Sequence, residues 1–497
     1  MLHALMVLAQ SESILSQYYT TLLVLAIIFG LYMAWSIGAN DVANAMGTSV
    51  GSGALTLRRA IILAAILEFA GAFFVGQHVT GAVRGEIVPP EAFSGMATEY
   101  VFGMLAALLA AAVWLMVATY YGWPVSTTHT IVGAILGFGL VALDDWTQIQ
   151  WAKVGQIVSS WLVSPLLAGT IAFLVFTVIQ HRVLYRRDLV RASQRTAPFF
   201  VFAVFFTITL VTLWKGLKPL GLDFGLWEAL GLASLISLAA AVFSIPLLGR
   251  VSLPEEEVSQ DSGAQNPMVD DELERLEKRT AKLSSVATGG VQEAIERIQD
   301  QLAAVRSSIA DHTPRSPGWA TPELRSVEKV FVYLQILSAC SVAFAHGAND
   351  VANAVGPVSG IIHVLQHDSV AALKTEVDPS LGLGILAVGG IGIVVGLATW
   401  GRRVIETVGR RITELTPTRG FSAEFGAAVT ILLASRFKLP ISTTHTLVGA
   451  VFGVGLARGV SALNLRVVLD IVISWIVTVP AGAILAIFFY NVLKAAF

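Results

Sequence analysis

Long apolar runs separated by short polar segments dominate the sequence. A membrane-spanning helix requires about 20 apolar residues, and runs near this length recur at 20–37, 101–121, 154–179, 199–214, 226–248 and 467–493. Between 252 and 322 the pattern changes, because charged residues, Ser and Gln predominate there. No membrane span tolerates such a composition. The pattern therefore predicts an all-α polytopic membrane protein with one polar insert.

Two polar motifs each occur twice along the chain, in the same order. GANDVANAMG at 38–47 returns as GANDVANAVG at 347–356, and the STTH motif at 126–129 returns at 442–445, within matching flanks. Such internal similarity indicates a duplicated structural unit, here of about five spans. The predicted domains are a first transmembrane repeat, two connecting transmembrane helices, a cytoplasmic helical insert and a second transmembrane repeat, at 20–180, 181–250, 251–325 and 326–497.

The basic residues predict how the two repeats are oriented. Lys and Arg near span ends favour the cytoplasmic side, and clusters lie at Arg58–Arg59, at 182–195, at Arg250 and at 402–411. Placing all of them inside gives about twelve transmembrane helices with both termini outside and the insert in the cytoplasm. The repeats are then inverted, as in many secondary transporters, which hold their substrate near the midplane. We expect a multi-pass protein of the cell's inner, or plasma, membrane, surrounded by lipid.

Composition supports this assignment and narrows the possible chemistry. Hydrophobic residues make up 55% of the 497 residues and charged residues only 13%, whereas soluble domains contain about 25% charged residues. The net charge of −2 gives no indication of a nucleic-acid partner. A single cysteine excludes an intrachain disulfide. We expect no cofactor.

The GANDVANA motif places amides and a carboxylate within an apolar run, at Asn40, Asp41, Asn44, Asn349, Asp350 and Asn353. An ionised Asp in the membrane requires a compensating partner. No Lys or Arg lies in the neighbouring runs, so the motif predicts cation coupling, with Na⁺ as a possible ion. The adjacent glycine predicts a helix break that exposes carbonyl ligands. The alternative is that these side chains only cap a broken helix and form interhelical hydrogen bonds.

The STTH motif predicts an anion site at the start of a helix. Helix N-termini have unpaired N–H groups that bind anions, and the motif adds hydroxyl donors at Ser126, Thr127, Thr128, Ser442, Thr443 and Thr444. Two such termini meeting at the midplane would hold a small oxyanion. The alternative is ordinary N-capping.

Four further polar residues lie near these motifs. We assign His129 and His445 a supporting role, because a histidine on an apolar face is usually hydrogen-bonded within the structure. Glu68 and Glu424 are acids in apolar stretches. They have no counterparts in the other repeat and are candidates for cation coupling.

The two GANDVANA motifs, together with PVSTTH and PISTTH, resemble the PiT family of inorganic phosphate transporters. The resemblance implies phosphate transport with sodium or protons, about twelve spans, a large cytoplasmic loop and a homodimer. It also implies that Asp41, Asn44, Asp350 and Asn353 take part in cation and phosphate binding and that the STTH hydroxyls hold phosphate. Some relatives carry sulfate, so a sulfate permease is the alternative.

Two other classes of membrane protein could use the same motifs. A membrane hydrolase could use Ser126 as nucleophile and His129 as base, but two equivalent copies with threonine neighbours favour binding, so we do not expect an enzyme. A channel could use the same polar ring. The inverted repeats favour a transporter with alternating access over a channel.

The insert carries two apolar seams at alternating steps of three and four residues, the pattern of paired helices. One seam runs from Val269 to Ala287 and the other from Val291 to Ile309, with Gly289 and Gly290 between them. The spacing predicts a helical hairpin that docks on the transporter or pairs with a second hairpin across a homodimer. The alternative is a solvated linker.

Overall fold

The structure, a computed structural model, describes most of the chain in helices. The described residues are 14–81, 83–84, 87–123, 125–143, 145–216, 222, 224–249, 276–277, 279–281, 283–284, 289–312, 322–374, 378–402, 404–405, 416–458 and 465–497. Among them there is no β-strand. The chain divides into two compact units, one made of Met1–Gly249 with Glu328–Phe497 and the other of Arg250–Val327.

In the described part of the chain, seven long helices precede the insert and five follow it. The first group contains α1 (Tyr19–Gly51), α2 (Leu57–Val75), α3 (Ala97–Tyr120), α4 (Thr127–Ala142), α5 (Trp151–Ile179), α6 (Leu189–Val211) and α7 (Leu226–Leu248). The insert contains α8 (Gly290–His312). The second group contains α9 (Pro322–His367), α10 (Pro379–Thr399), α11 (Pro417–Arg436), α12 (Thr443–Arg458) and α13 (Leu465–Ala496).

Eight helices in the described residues are long and apolar enough, by length and composition alone, to cross a membrane. Of the other five helices, α8 lies in the insert, and α4 and α12 have 16 residues each. The remaining two contain three charged residues each, Arg58, Arg59 and Glu68 in α2 and Arg419, Glu424 and Arg436 in α11. The prediction of an all-α polytopic membrane protein is confirmed. The number of spans stays a prediction.

Glycines bring helices from the two halves into backbone contact. A methyl group on Gly38 of α1 would overlap the carbonyl oxygen of Ile393 in α10, and one on Gly347 of α9 would overlap that of Glu68 in α2. Only glycine permits such close approach. Helix α1 therefore packs on α10 as α9 packs on α2, and each half takes its partner helix from the other half.

The same exchange occurs at the short helices α4 and α12. Helix α13 packs along α3 and α4, while α5 packs along α11 and α12. A methyl group on Gly133 of α4 would overlap the Val479 carbonyl of α13, and one on Gly449 of α12 would overlap the Pro165 carbonyl of α5. The two halves thus surround the STTH helices in matching ways.

The predicted helix break at the GANDVANA glycines is wrong. Helices α1 and α9 continue unbroken through both motifs. Gly38 and Gly347 instead serve the close helix packing described above, because a side chain at either position would collide with a neighbouring backbone. The motif side chains therefore project from regular helices.

A break does occur before each STTH motif, as predicted. Helix α3 ends at Tyr120 and α4 begins at Thr127, while α11 ends at Arg436 and α12 begins at Thr443. Each intervening turn contains one left-handed residue, Gly122 at φ 68° and Lys438 at φ 58°. The two turns thus share a left-handed residue shortly after the preceding helix ends.

In the insert, the second predicted helix is present as α8. It begins directly after Gly289, whose φ of 68° suits a helix boundary. Within α8, Ile295 of the predicted seam is buried, whereas Val291 is 62% exposed. Most of the first seam, from Val269 to Ala287, lies outside the described residues, although the described residues 276–277, 279–281 and 283–284 are helical.

Candidate functional site

The GANDVANA motif of each half contacts the STTH motif of the other half. Asn44 Nδ2 on α1 donates to Thr444 Oγ1 on α12 at 2.8 Å. Asn353 Nδ2 on α9 donates to Thr128 Oγ1 on α4 at 3.1 Å. All four residues are buried. The four motifs, which are far apart in the sequence, therefore form one polar cluster.

The first asparagine of each motif holds the turn before the short helix of its own half. Asn40 Nδ2 donates to Thr119 Oγ1 at 2.9 Å and to the Trp123 carbonyl at 3.2 Å. Asn349 Nδ2 bonds in the same way to Ser435 and Leu439, at 3.0 and 3.2 Å. These contacts keep the N-termini of α4 and α12 against the GANDVANA helices.

The serines cap these helix N-termini. Ser126 Oγ accepts from the His129 backbone N–H, and Ser442 Oγ accepts from that of His445, each at 3.2 Å. The N-capping alternative thus describes what the serine side chains do in this structure. The threonines behave differently, because Thr128 and Thr444 receive their bonds from the other half.

The two aspartates are buried but have different surroundings. Asp350 Oδ2 accepts from Thr443 Oγ1 at 2.9 Å, and its Oδ1 lies within hydrogen-bonding distance of Thr128 and Asn353. Asp41 Oδ1 accepts from Asn44 at 3.3 Å. Asp41 Oδ2 has no hydrogen-bond partner among the described residues. Asp350 is therefore hydrogen-bonded at both oxygens, while Asp41 is hydrogen-bonded at one.

The sequence reasoning missed His346, which lies between the acids. Its Nε2 is 2.9 Å from Asp350 Oδ2 and 3.9 Å from Asp41 Oδ2, and its Nδ1 is 3.2 Å from Glu68 Oε1. These are polar contacts that lack good hydrogen-bond geometry. A signal was available: His346 precedes GANDVANA in the second copy, where the first copy has Ile37.

Glu68 and Glu424 occupy separate places. Glu68 reaches the aspartates only through His346 among the contacts described. Glu424 on α11 accepts four hydrogen bonds from hydroxyl and amide groups of α1 and α9, at 2.5 to 3.2 Å, from Thr48, Ser49, Gln335 and Ser338. It forms a second buried polar group, which we call the Glu424 cluster.

His129 and His445 lie side by side where α4 and α12 meet. Their rings are 4.2 Å apart and nearly perpendicular. Trp161 of α5 packs on His129 with 3.7 Å between ring centroids. This packing is suited to holding the two short helices together, the supporting role expected from the sequence.

The cluster combines two kinds of binding group. Asn40 Oδ1, Asp41 Oδ2, Asn349 Oδ1 and Asn353 Oδ1 are buried oxygens without a hydrogen-bond partner among the described residues. Carboxylate and amide oxygens are ligands for hard cations. The threonines next to them lie at two helix N-termini, which favour anions. Such an arrangement can hold a cation and an anion side by side.

Comparisons with known proteins point to one family. Residues 37–486 match the model of the phosphate transporter family. The chain is 43% identical over 479 residues to a candidate phosphate permease of Chlamydia trachomatis, covering 96% of this chain and 99% of the relative. It is 42% identical over 468 residues to the chloroplastic inorganic phosphate transporter 2-1 of Arabidopsis thaliana, covering 93% of this chain and 70% of the relative.

A solved structure shows the same fold. It is described as the sodium-dependent phosphate transporter and superposes with a TM-score of 0.74 at 38% sequence identity. The match covers 96% of this chain and all of the other. The similarity therefore extends over both halves.

Proposed function

Because the chain belongs to the phosphate transporter family, we propose that it imports inorganic phosphate as a secondary active transporter coupled to a cation. The polar cluster described above is the proposed site. The proposal includes alternating access between inverted repeats. Such transporters hold substrate where two repeats meet and rock one against the other.

One observation carries this proposal: each half supplies the asparagine that bonds the threonine of the other half's helix N-terminus. Phosphate bound there would contact both halves. It would accept bonds from hydroxyls of Ser126, Thr127, Thr128, Ser442, Thr443 and Thr444, with Asp41 and Asp350 beside it. A movement of the halves would then change its access to either side of the membrane.

Cation coupling follows from charge. Two buried carboxylates next to an anion repel it unless cations intervene. We assign Asp41 and Asp350 to the coupling ion, together with the amide oxygens of Asn40, Asn44, Asn349 and Asn353. The unpartnered Asp41 oxygen and amide oxygens fit a hard cation. The sodium-dependent neighbour supports Na⁺, and H⁺ is the alternative ion.

The Glu424 cluster is proposed as a second coupling element. Glu424 is buried and accepts four hydrogen bonds, an arrangement suited to an ionised carboxylate or to a cation held beside it. Glu68 is assigned to coupling as well. His129 and His445 support the helices and do not contact the substrate in this proposal.

Phosphate is favoured over sulfate by proton chemistry. Hydrogen phosphate can donate its proton to a carboxylate, whereas sulfate at neutral pH has no proton to donate. Both aspartates lie beside the proposed anion position. Equal competition by sulfate would favour the alternative, a sulfate permease of the same family.

Counterflow of labelled phosphate in proteoliposomes tests the function. A symporter exchanges internal phosphate for labelled external phosphate, and net uptake rises with sodium or with protons. We expect both results from the purified protein, measured with and without sodium across a pH series. A hydrolase gives no counterflow, and a channel gives no exchange against a gradient.

The arrangement in the membrane is part of the proposal. We place both termini outside and the insert in the cytoplasm, in a plasma or inner membrane, with a first repeat over 20–180 and a second over 326–497. The insert is proposed to join two copies into a homodimer. The positive-inside rule and the apolar seam of α8 support these assignments.

A further inference from the structure

The two halves match closely at the polar cluster but differ at one buried pair. Gly38 packs on the backbone of Ile393, and Gly347 packs on the backbone of Glu68. Ile393 and Glu68 are therefore equivalent positions. The residue before each glycine is Ile37 in the first half and His346 in the second, and His346 contacts Glu68. The contact between α2 and α9 thus carries a polar pair, Glu68 and His346, where the equivalent contact between α1 and α10 carries two isoleucines, Ile393 and Ile37.

Packing alone does not require the polar pair. Ile37 and Ile393 are fully buried in the matching environment, so this position between two helices accepts apolar side chains. Glu68 and His346 are also fully buried. Burying a carboxylate and an imidazole costs free energy that isoleucines would not cost, so this pair requires an explanation other than filling space.

The pair connects α2 to the candidate site. Glu68 Oε1 lies 3.2 Å from His346 Nδ1, and the other ring nitrogen lies 2.9 Å from Asp350 Oδ2. Asp350 in turn accepts from Thr443 at the start of α12. A continuous series of polar contacts therefore runs from α2, through α9, to the helix N-terminus proposed to bind phosphate.

The same imidazole holds Asp41 less closely, because its Nε2 lies 3.9 Å from Asp41 Oδ2 and 2.9 Å from Asp350 Oδ2. The residue four positions before Asp41 is Ile37, whereas the residue four positions before Asp350 is His346. A histidine between two carboxylates can orient both, as the second partner of a histidine commonly does in functional sites. The shorter distance makes Asp350 the carboxylate that this imidazole is best placed to orient.

We propose that His346 is a positioning residue through which Glu68 holds Asp350 in the orientation that bonds Thr443. This inference rests on the proposed function and states how Asp350, one of the proposed coupling acids, is held in place. Glu68 does not touch the substrate or the coupling ion in this arrangement. Its effect on transport passes through the imidazole.

A double-mutant cycle tests the connection. The variants are Glu68→Ile, His346→Ile and the double variant, which recreates the two isoleucines of the equivalent contact between α1 and α10. Ile37→Val is the matched control at the equivalent position. Phosphate uptake into proteoliposomes is measured for each over a range of sodium and phosphate concentrations. Thermal unfolding in detergent shows whether each variant folds.

We expect each single variant to raise the sodium concentration for half-maximal uptake by about tenfold, and the double variant to be no worse than the worse single variant. His346→Gln, which keeps hydrogen-bonding groups, restores part of the loss. Ile37→Val leaves sodium dependence unchanged. If uptake does not depend on sodium, the KM for phosphate is compared among the same variants instead.

Three results overturn the inference. In the first, the effects of the single variants multiply in the double variant, so that the residues act independently. In the second, Glu68→Ile impairs uptake while His346→Ile does not. In the third, His346→Gln is no better than His346→Ile. If the wild-type protein gives no phosphate counterflow, the proposed function itself fails, which separates that outcome from these three.

Discussion

Asn44 and Thr444, 400 residues apart, are joined by a hydrogen bond of 2.8 Å from the amide Nδ2 to the hydroxyl oxygen. Asn353 and Thr128 repeat the relationship with the two halves exchanged. The site is therefore shared, since neither half contains both partners of either bond. A ligand bound at these groups is in contact with both halves at once.

Removing the charge of either aspartate should abolish coupled uptake. Asp41→Asn and Asp350→Asn keep the side-chain shape, so we expect both variants to fold, but the cation loses an ionised ligand. Asp145→Asn, at an exposed position in a turn between helices, is the control and should transport normally. Sodium- and pH-dependent phosphate uptake is the measurement. In wild type, a phosphate affinity independent of both ions would contradict the proposal.

The threonines that cross between halves should matter more than their neighbours. Thr128→Val and Thr444→Val remove the hydroxyls that accept from Asn353 and Asn44. We expect the KM for phosphate to rise about tenfold in each, the effect of losing one hydrogen bond in a buried site. Thr130→Val is the control, because the Thr130 hydroxyl donates to the Ser126 carbonyl at the start of its own helix. Equal effects in all three variants would exclude a specific role.

The glycines at the helix contacts should be intolerant of a methyl group. In Gly38→Ala and Gly347→Ala the new Cβ overlaps a neighbouring carbonyl oxygen, and such overpacking costs about 1 to 3 kcal/mol. Gly155→Ala is the control, because no atom lies near its added Cβ. Thermal unfolding in detergent should show a lower midpoint for the first two variants only. An unchanged midpoint for Gly347→Ala would show that the helices can move apart without cost.

The predicted topology can be tested by labelling single cysteines. Cys340 is first replaced by Ser, and cysteines are then placed at Arg186, Arg402, Pro89 and His367. An impermeant maleimide applied outside should label positions 89 and 367 but not 186 and 402, because basic residues favour the cytoplasm. External labelling at 186 or 402 would be incompatible with inverted repeats.

The insert should form a helical hairpin that pairs on association. A two-helix hairpin buries only a narrow apolar stripe and is marginal alone, so the isolated segment 268–311 should gain helical circular dichroism as its concentration rises. Substituting Ile295 by Glu should remove this dependence, since Ile295 is buried on α8. A segment that stays random coil at high concentration, and that protease cuts freely in the intact protein, is only a tether.

Much of the candidate site could be predicted because its residues come in two short, nearly identical motifs. The sequence identified the four motif copies, and the structure brings them together. The predicted helix break at Gly38 and Gly347 was wrong, because the sequence does not show whether a glycine breaks its own helix or allows another helix to pack closely against it. Here both glycines allow close helix packing, Gly38 against Ile393 and Gly347 against Glu68.

His346 could not be recognised from the motifs alone. It lies next to a repeated segment but belongs to neither copy of the motif, and its partners Glu68 and Asp350 lie on two different helices. Its place between the acids results from the packing of α2 on α9. A comparison of the residues before the two GANDVANA copies would have shown a histidine in one copy where the other has an isoleucine.

The sequence by itself determined the membrane class, the duplication and the kinds of polar group in the site, because hydrophobic run length and motif chemistry are properties of short segments. The tertiary structure alone decided that each half pairs with the other's helix N-terminus, and that Asp350 and Asp41 differ. These features depend on contacts between residues hundreds of positions apart. Such contacts are set by how helices pack, through glycines and buried pairs, and no local pattern specifies them.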